Sequence, residues 1–168
     1  GVGCTLEEIE FADNVAGEDF LTPIDATGAD NTADGLKVIN CRWLSGGVTS
    51  GPFVTITGNI VDLAIRGNLI VHEGVTCPIF SQAGTKTMLG AVVDWNYLSA
   101  KGANATDLAF DNGGSGNTAI IAHNRIGHAD TTTTHILGAV AGARFFDNLS
   151  VSTDALSGLL LPAADVDL

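Results

Sequence analysis

The hydrophobic and polar positions of this chain follow one short signature that returns along almost its whole length. It reads apolar, two variable residues, a fixed position, one variable residue, apolar. Five segments align to it without gaps: Val38 to Trp43, Ile65 to Ile70, Val93 to Leu98, Ile121 to Ile126 and Phe145 to Ser150, and a weaker sixth, Leu6 to Phe11, precedes them. The fixed position is Asn68, Asn96, Asn124 and Asn148 in four of them, spaced 28, 28 and 24 residues apart; Cys41 holds it 27 residues earlier, and Ile9 a further 32 before that. A period of this size is too short for a domain. It suits a repeat that buries its apolar face only against its neighbours.

A second apolar segment falls between successive signatures, at residues 20–25, 53–57, 77–81, 107–111, 135–139 and 158–162. Two or three short strands per repeat, separated by Gly, Asn, Asp and Thr, predict an all-β fold. The expected architecture is a right-handed parallel β-helix (a single-stranded β-solenoid) of about six coils, in one domain over residues 1–168. A β-sandwich would show alternation with hairpin turns every 8–12 residues, less than half the period here. In the β-helix, Leu6, Val38, Ile65, Val93, Ile121 and Phe145 form one core column, and Phe11, Trp43, Ile70, Leu98, Ile126 and Ser150 the other. Asn68, Asn96, Asn124 and Asn148 then form a structural ladder. Amides stacked at the strand spacing of about 4.8 Å satisfy one another, whereas an unpaired buried amide costs about 1–3 kcal/mol.

Composition supports the strand reading and narrows the partners. Of 168 residues 45% are hydrophobic and only 15% charged, which is opposite to the signature of disorder. The formal charge of −12 repels phosphate backbones, so nucleic acid is not an expected partner. No apolar run approaches the 18 or more residues of a membrane span, and the first residues carry no secretory-signal pattern. Because strand pattern begins almost at once, the chain is expected to belong to a longer polypeptide or an assembly at its N-terminal end. Cys4, Cys41 and Cys77 show no metal-ligand spacing; Cys41 reads as a small buried hydrophobe, and spacing gives a Cys41–Cys77 bridge no support.

The stretches VINCRWL, LAIRGNLIV, IIAHNRIGHADT and FFDNLSV, with the ending SGLLLPAADVDL, resemble right-handed β-helix proteins encoded by phages and prophages. The most specific piece is Ala122 to Thr131, followed by Leu161-Pro-Ala, and the resemblance runs from about residue 36 to the end. It implies a virion component such as a capsid decoration, fibre or tailspike-like part, extracellular with the particle. It also implies self-association, commonly as a homotrimer, or packing on other virion proteins. No residue roles come with it. The alternative within the fold is a carbohydrate-active β-helix of the polysaccharide lyase or glycoside hydrolase kind.

Candidate chemistry is sparse. Glycoside hydrolysis needs two carboxylates about 5–9 Å apart across one groove. The column two before the ladder holds Ile39, Arg66, Asp94, Ala122 and Phe146, and the next holds Asn40, Gly67, Trp95, His123 and Asp147, so neither supplies paired acids. Arg66 and Asp94 read as a surface ion pair, and Asp107 and Asp111 as solvated or turn residues. His123, His128 and Asp130 are the nearest approach to a metal set, without the convergence a site needs. The Thr131 to Thr134 run occurs in one loop only, not coil after coil, so it reads as a polar loop and not an ice-binding face. The Asn104 and Asn148 sequons are short patterns that occur by chance. The expectation is therefore a non-enzymatic protein with no catalytic residue, metal or cofactor. Trp95 and Tyr97, flanking Asn96, are the candidate contacts for a host-surface glycan.

Overall fold

The computed structural model describes residues 3–12, 23–26, 29–31, 33–45, 51–72, 79–82, 86–100, 110–112, 118–128, 143–152 and 158–159. Every regular element among them is a strand. In chain order they are β1 (Thr5–Glu7), β2 (Glu10–Ala12), β3 (Ile24–Ala26), β4 (Lys37–Ile39), β5 (Arg42–Ser45) and β6 (Val54–Ile56). There follow β7 (Ile60–Val61), β8 (Ala64–Arg66), β9 (Leu69–His72), β10 (Phe80–Gln82), β11 (Met88–Asp94) and β12 (Tyr97–Ala100). The last are β13 (Phe110–Asn112), β14 (Thr118–Ala122), β15 (Arg125–His128), β16 (Arg144–Phe146), β17 (Leu149–Ser152) and β18 (Gly158–Leu159).

These strands form three sheets, which the chain visits in rotation as far as β15; from there β16, β17 and β18 join the first and second sheets only. The first sheet runs β1-β4-β8-β11-β14-β16, with β7 also on β11; the second runs β2-β5-β9-β12-β15-β17-β18; the third runs β3-β6-β10-β13. All pairings are parallel except that of β17 with β18. The fold is all-β with parallel sheets, of a solenoid-like class. Parallel partners in one sheet require a long connection, and here each connection is a full repeat.

Register follows the apolar signature. Leu6, Val38, Ile65, Val93, Ile121 and Phe145 are successive partners in the first sheet. Phe11, Trp43, Ile70, Leu98, Ile126 and Ser150 are successive partners in the second. A slip of one residue would turn the buried side chains of Val38, Trp43, Ile65, Ile70, Val93, Leu98 and Ile121 outward, so burial fixes the pairing. The core they build includes Val38, Trp43, Ile65, Ile70, Val93, Leu98 and Ile121, and the third sheet adds Ile24, Val54, Ile56 and Phe80. Trp43 stacks on Phe53 at 6.1 Å, and Phe11 meets the same ring edge-on at 6.2 Å, which ties the second sheet to the segment leading into β6.

The intermediate apolar segments become the third sheet, with strands centred on Asp25, Thr55, Ser81 and Asp111. Residues 135–139 lie outside the described residues. The segment at 158 departs from the repeat. Its strand β18 turns back antiparallel onto β17 through Leu149 and Leu159, so it closes the second sheet and adds nothing to the third. Apolar character alone does not specify strand direction.

A second corner, before the first sheet, is also held by side chains. The Asp30 carboxylate accepts the Asn59 N–H, Asn59 Oδ1 accepts the Thr87 N–H, and Asp34 accepts the Val61 N–H. The Asn59 amide and then the Lys86 ammonium, 2.9 Å away, hold Asp30 below its ordinary carboxylate range. Gly35, Asp62 and Gly90 take positive φ at this corner in successive repeats.

Candidate functional site

The corner between the first and second sheets carries the chemistry that the signature marks. One residue there adopts a left-handed conformation in every repeat: Glu8, Asn40, Gly67, Trp95, His123 and Asp147, with φ of 56°, 52°, 67°, 58°, 56° and 53°. This bend costs a residue with a side chain about 1–2 kcal/mol. From Asn40 onward the next residue enters a hydrogen-bonded column that offsets it; Ile9, which follows Glu8, stands outside that column.

That column is built from the four asparagines. Asn68 Oδ1 accepts the Cys41 N–H, and Asn96, Asn124 and Asn148 Oδ1 accept the N–H of the asparagine one repeat earlier, at 2.8–3.0 Å. Each of those three oxygens also accepts the preceding amide's Nδ2 at 2.9 Å. The Nδ2 groups of Asn68, Asn96, Asn124 and Asn148 donate in addition to the carbonyls of Val38, Ile65, Val93 and Ile121. All four side chains are buried. For Asn96 and Asn124 two donor hydrogens and two acceptor lone pairs are all used, the complete capacity of an amide. The sequon at Asn148 is therefore inaccessible; Asn104 lies outside the described residues.

Cys41 shows what the column requires. Its buried thiol lies within donating reach of two carbonyls, that of Ile39 at 3.4 Å and that of Leu6 at 3.6 Å, the latter the counterpart of the Val38 carbonyl that receives Asn68. It is a free cysteine that reaches one of the amide's acceptors with a weak, shared donor and offers no amide to the repeat before it. Replacing it by a true ladder member, Cys41→Asn, is expected to raise stability by about 1 kcal/mol. Urea midpoints at constant slope measure this, and a lower midpoint for the variant would contradict it.

Outside this buried column lies a polar and aromatic surface. Trp95 is 64% exposed and Tyr97 41%, and they leave the corner on either side of buried Asn96. Tyr97 stands on the outer face of the second sheet between Leu69 and Arg125. Trp95 stacks on His123 with ring centroids 4.6 Å apart and planes 10° from parallel, and Phe146 meets that imidazole in a T-shaped contact at 5.4 Å. His123 Nε2 lies 3.6 Å from the Asp147 carboxylate, an ion pair when the imidazole is protonated. On the first-sheet side, Arg66 grips Asp94 with Nε at 2.6 Å and Nη2 at 2.9 Å. The Asp94 carboxylate holds the guanidinium's pKa above its ordinary value.

The candidate catalytic groups do not converge. Asp94 is engaged by Arg66, and Asp147 is exposed beside His123. Among the described residues no group of three or more His, Cys, Asp or Glu is placed to hold a metal ion. Asp107, Asp130 and His135 lie outside the described residues, as do the side chains of His72, Asp111 and His128. Among the described residues no helix is long and apolar enough to cross a membrane. No protein-family model, curated protein or solved structure matches the chain.

The aromatic stack is the feature that sequence reading missed. The column Asn40, Gly67, Trp95, His123, Asp147 was legible, but a left-handed backbone at bulky residues is uncommon and turns their side chains in a direction that strand alternation does not predict. Two aromatic rings one repeat apart, each just before a ladder asparagine, are the signal that could have found it.

Proposed function

We propose that this chain is a non-enzymatic structural component of a virus particle, a right-handed parallel β-helix of about six coils that serves as a capsid decoration, fibre or tailspike-like part. The observation that carries this reading is the asparagine column. It couples successive repeats by hydrogen bonds through the interior, which stiffens the stack as a load-carrying rod needs. Six coils at about 4.8 Å make a stiff rod of about 30 Å. Such a rod resists bending and displays outward-facing columns at a fixed pitch, which suits assembly and attachment.

Assembly is supported at the β1 end. There β1, β2 and β3 each pair on one side only among the described residues. Beside them lies a cavity of about 470 Å³ lined by Leu6, Ile9, Phe11, Ile24 and Leu36, among others. Unpaired strand edges beside apolar surface favour burial against another chain. The expected partners are further copies of this chain in a homotrimer, or other virion proteins, in an extracellular particle. Light scattering on the purified chain is expected to give three times the mass of one chain, and mass spectrometry is expected to detect the chain in purified particles from its source. A monomer absent from such particles would defeat the proposal.

A carbohydrate-active β-helix is the second reading, and exposed Trp95 is what favours it. Incubation with capsular or cell-wall polysaccharide separates the two, since an enzyme shortens the chains and a structural rod leaves their length unchanged.

A further inference from the structure

The stacked rings at the asparagine corner leave one aromatic face open, and its surroundings define a ligand. Trp95 and His123 are nearly parallel at the spacing of the repeats, so both rings lie across the direction in which the repeats succeed one another. One face of the indole is covered by the imidazole. The other looks toward the repeat on the opposite side, where the same column position is Gly67 and carries no side chain. The next position beyond is Asn40, two strand spacings or about 9–10 Å from Trp95. The Asn40 side chain turns toward Gly67, its Oδ1 so near that a Cβ there would clash with it, and an amide oxygen therefore faces Trp95 across the gap. Arg66 adjoins Gly67 on one flank, fixed by Asp94 through Nε and Nη2, which leaves Nη1 free of that clamp. Leu69, half-buried, adjoins on the other.

We infer that the gap over Gly67 is a binding subsite for one pyranose ring of a neutral glycan, stacked on the free face of Trp95. This deepens the attachment role in the proposed function. A pyranose has an apolar C–H face and a rim of hydroxyls. The indole offers a flat apolar shelf, and a ring in van der Waals contact about 4 Å from it lies at the level of Gly67. Asn40 Oδ1 accepts from one hydroxyl while Arg66 Nη1 donates to another, a donor and an acceptor on a single rim. A guest aromatic side chain would be served less well, because the wall facing Trp95 across the gap is an amide and not a second ring. Charge selects the class of sugar. Arg66 is neutralised by Asp94 and the chain carries a formal charge of −12, so uronic and sulfated sugars are repelled.

Intrinsic fluorescence reads the site directly. Of the two tryptophans Trp43 is buried, so a ligand-induced change in emission reports on Trp95. The probes are methyl glycosides of glucose, galactose, mannose and N-acetylglucosamine, their neutral tetrasaccharides, glucuronic acid and acetyl-phenylalanine amide. At least one neutral sugar is expected to shift the emission to shorter wavelength and to saturate in the millimolar range. Trp95→Ala abolishes that response. Gly67→Ala, which puts a methyl against Asn40 Oδ1, weakens binding at least about tenfold. Circular dichroism and urea midpoints establish that both variants are folded, and isothermal titration gives the Trp95→Ala variant an independent readout. The assignment is overturned by a saturable response to none of the neutral sugars, by tighter binding of glucuronic acid or the phenylalanine amide, or by full affinity in folded Gly67→Ala. Any of these leaves the oligomeric mass and presence in particles untouched, so the structural reading is judged separately.

Discussion

Asn96→Ala is expected to lower stability by about 3–5 kcal/mol, although the side chain it removes touches no ligand and forms no part of the apolar core. Four hydrogen bonds are lost at once. Asn96 Oδ1 no longer accepts the Asn68 N–H and Nδ2, and Asn96 Nδ2 no longer reaches the Ile65 carbonyl or Asn124 Oδ1. Not all the losses are equal. Asn68 Nδ2 keeps the Val38 carbonyl and Asn124 Oδ1 keeps the Asn96 N–H, whereas the Asn68 N–H loses its acceptor outright in a buried place. Each buried group left unpaired costs about 1–3 kcal/mol, and the void left by the amide adds to that. The urea midpoint should fall with little change of slope.

The charged isostere sharpens the test. Asn96→Asp keeps both acceptor bonds but has no donor when ionised, and it puts an uncompensated carboxylate in a buried column. Burial raises that carboxyl's pKa, so the folded variant binds its proton at higher pH than the unfolded chain does. Its stability is therefore expected to recover as pH falls through the raised value, where the protonated group donates one bond again. An Asn96→Asp variant as stable as the parent at neutral pH would show that the column does not hold the repeats together.

These consequences were legible in the sequence to differing depths. The ladder and the two apolar columns were visible because one residue type, or one polarity, recurs at one spacing, and strand pairing then brings like to like. The corner at Asp30, Asn59 and Asp34 does the same work with mixed residue types, so no single type marks every repeat as asparagine marks the ladder. What recurs there is a conformation, positive φ at Gly35, Asp62 and Gly90, and conformation is not written in single residues. The Trp95–His123 stack stayed hidden for a related reason. Sequence gave their shared column but not the turn of the backbone that lays one ring on the other. Parallel pairing followed from the repeat, and only the reversal at β18, among the described residues, was hidden.

Trp43→Ala should cost about as much, about 3–5 kcal/mol, by a different mechanism. Trp43 is fully buried in the second sheet, stacked on Phe53 and registered between Phe11 and Ile70. Truncation removes a large apolar surface and leaves a void that the hydrogen-bonded column beside it, at Cys41 and Asn68, prevents the strands from closing. Trp43→Phe retains the ring packing against Phe53 and is expected to lose less than half as much. The distribution of the loss distinguishes this fold from an ordinary core. Each strand of the second sheet pairs only with those of adjacent repeats, so the disturbance passes from repeat to neighbouring repeat. Hydrogen exchange in Trp43→Ala should quicken most in β2, β5 and β9 and least in β15 and β17. Uniform quickening across all five strands would mean that the repeats open as one cooperative body, and nearest-neighbour coupling would have to be abandoned as the account of what holds this chain together.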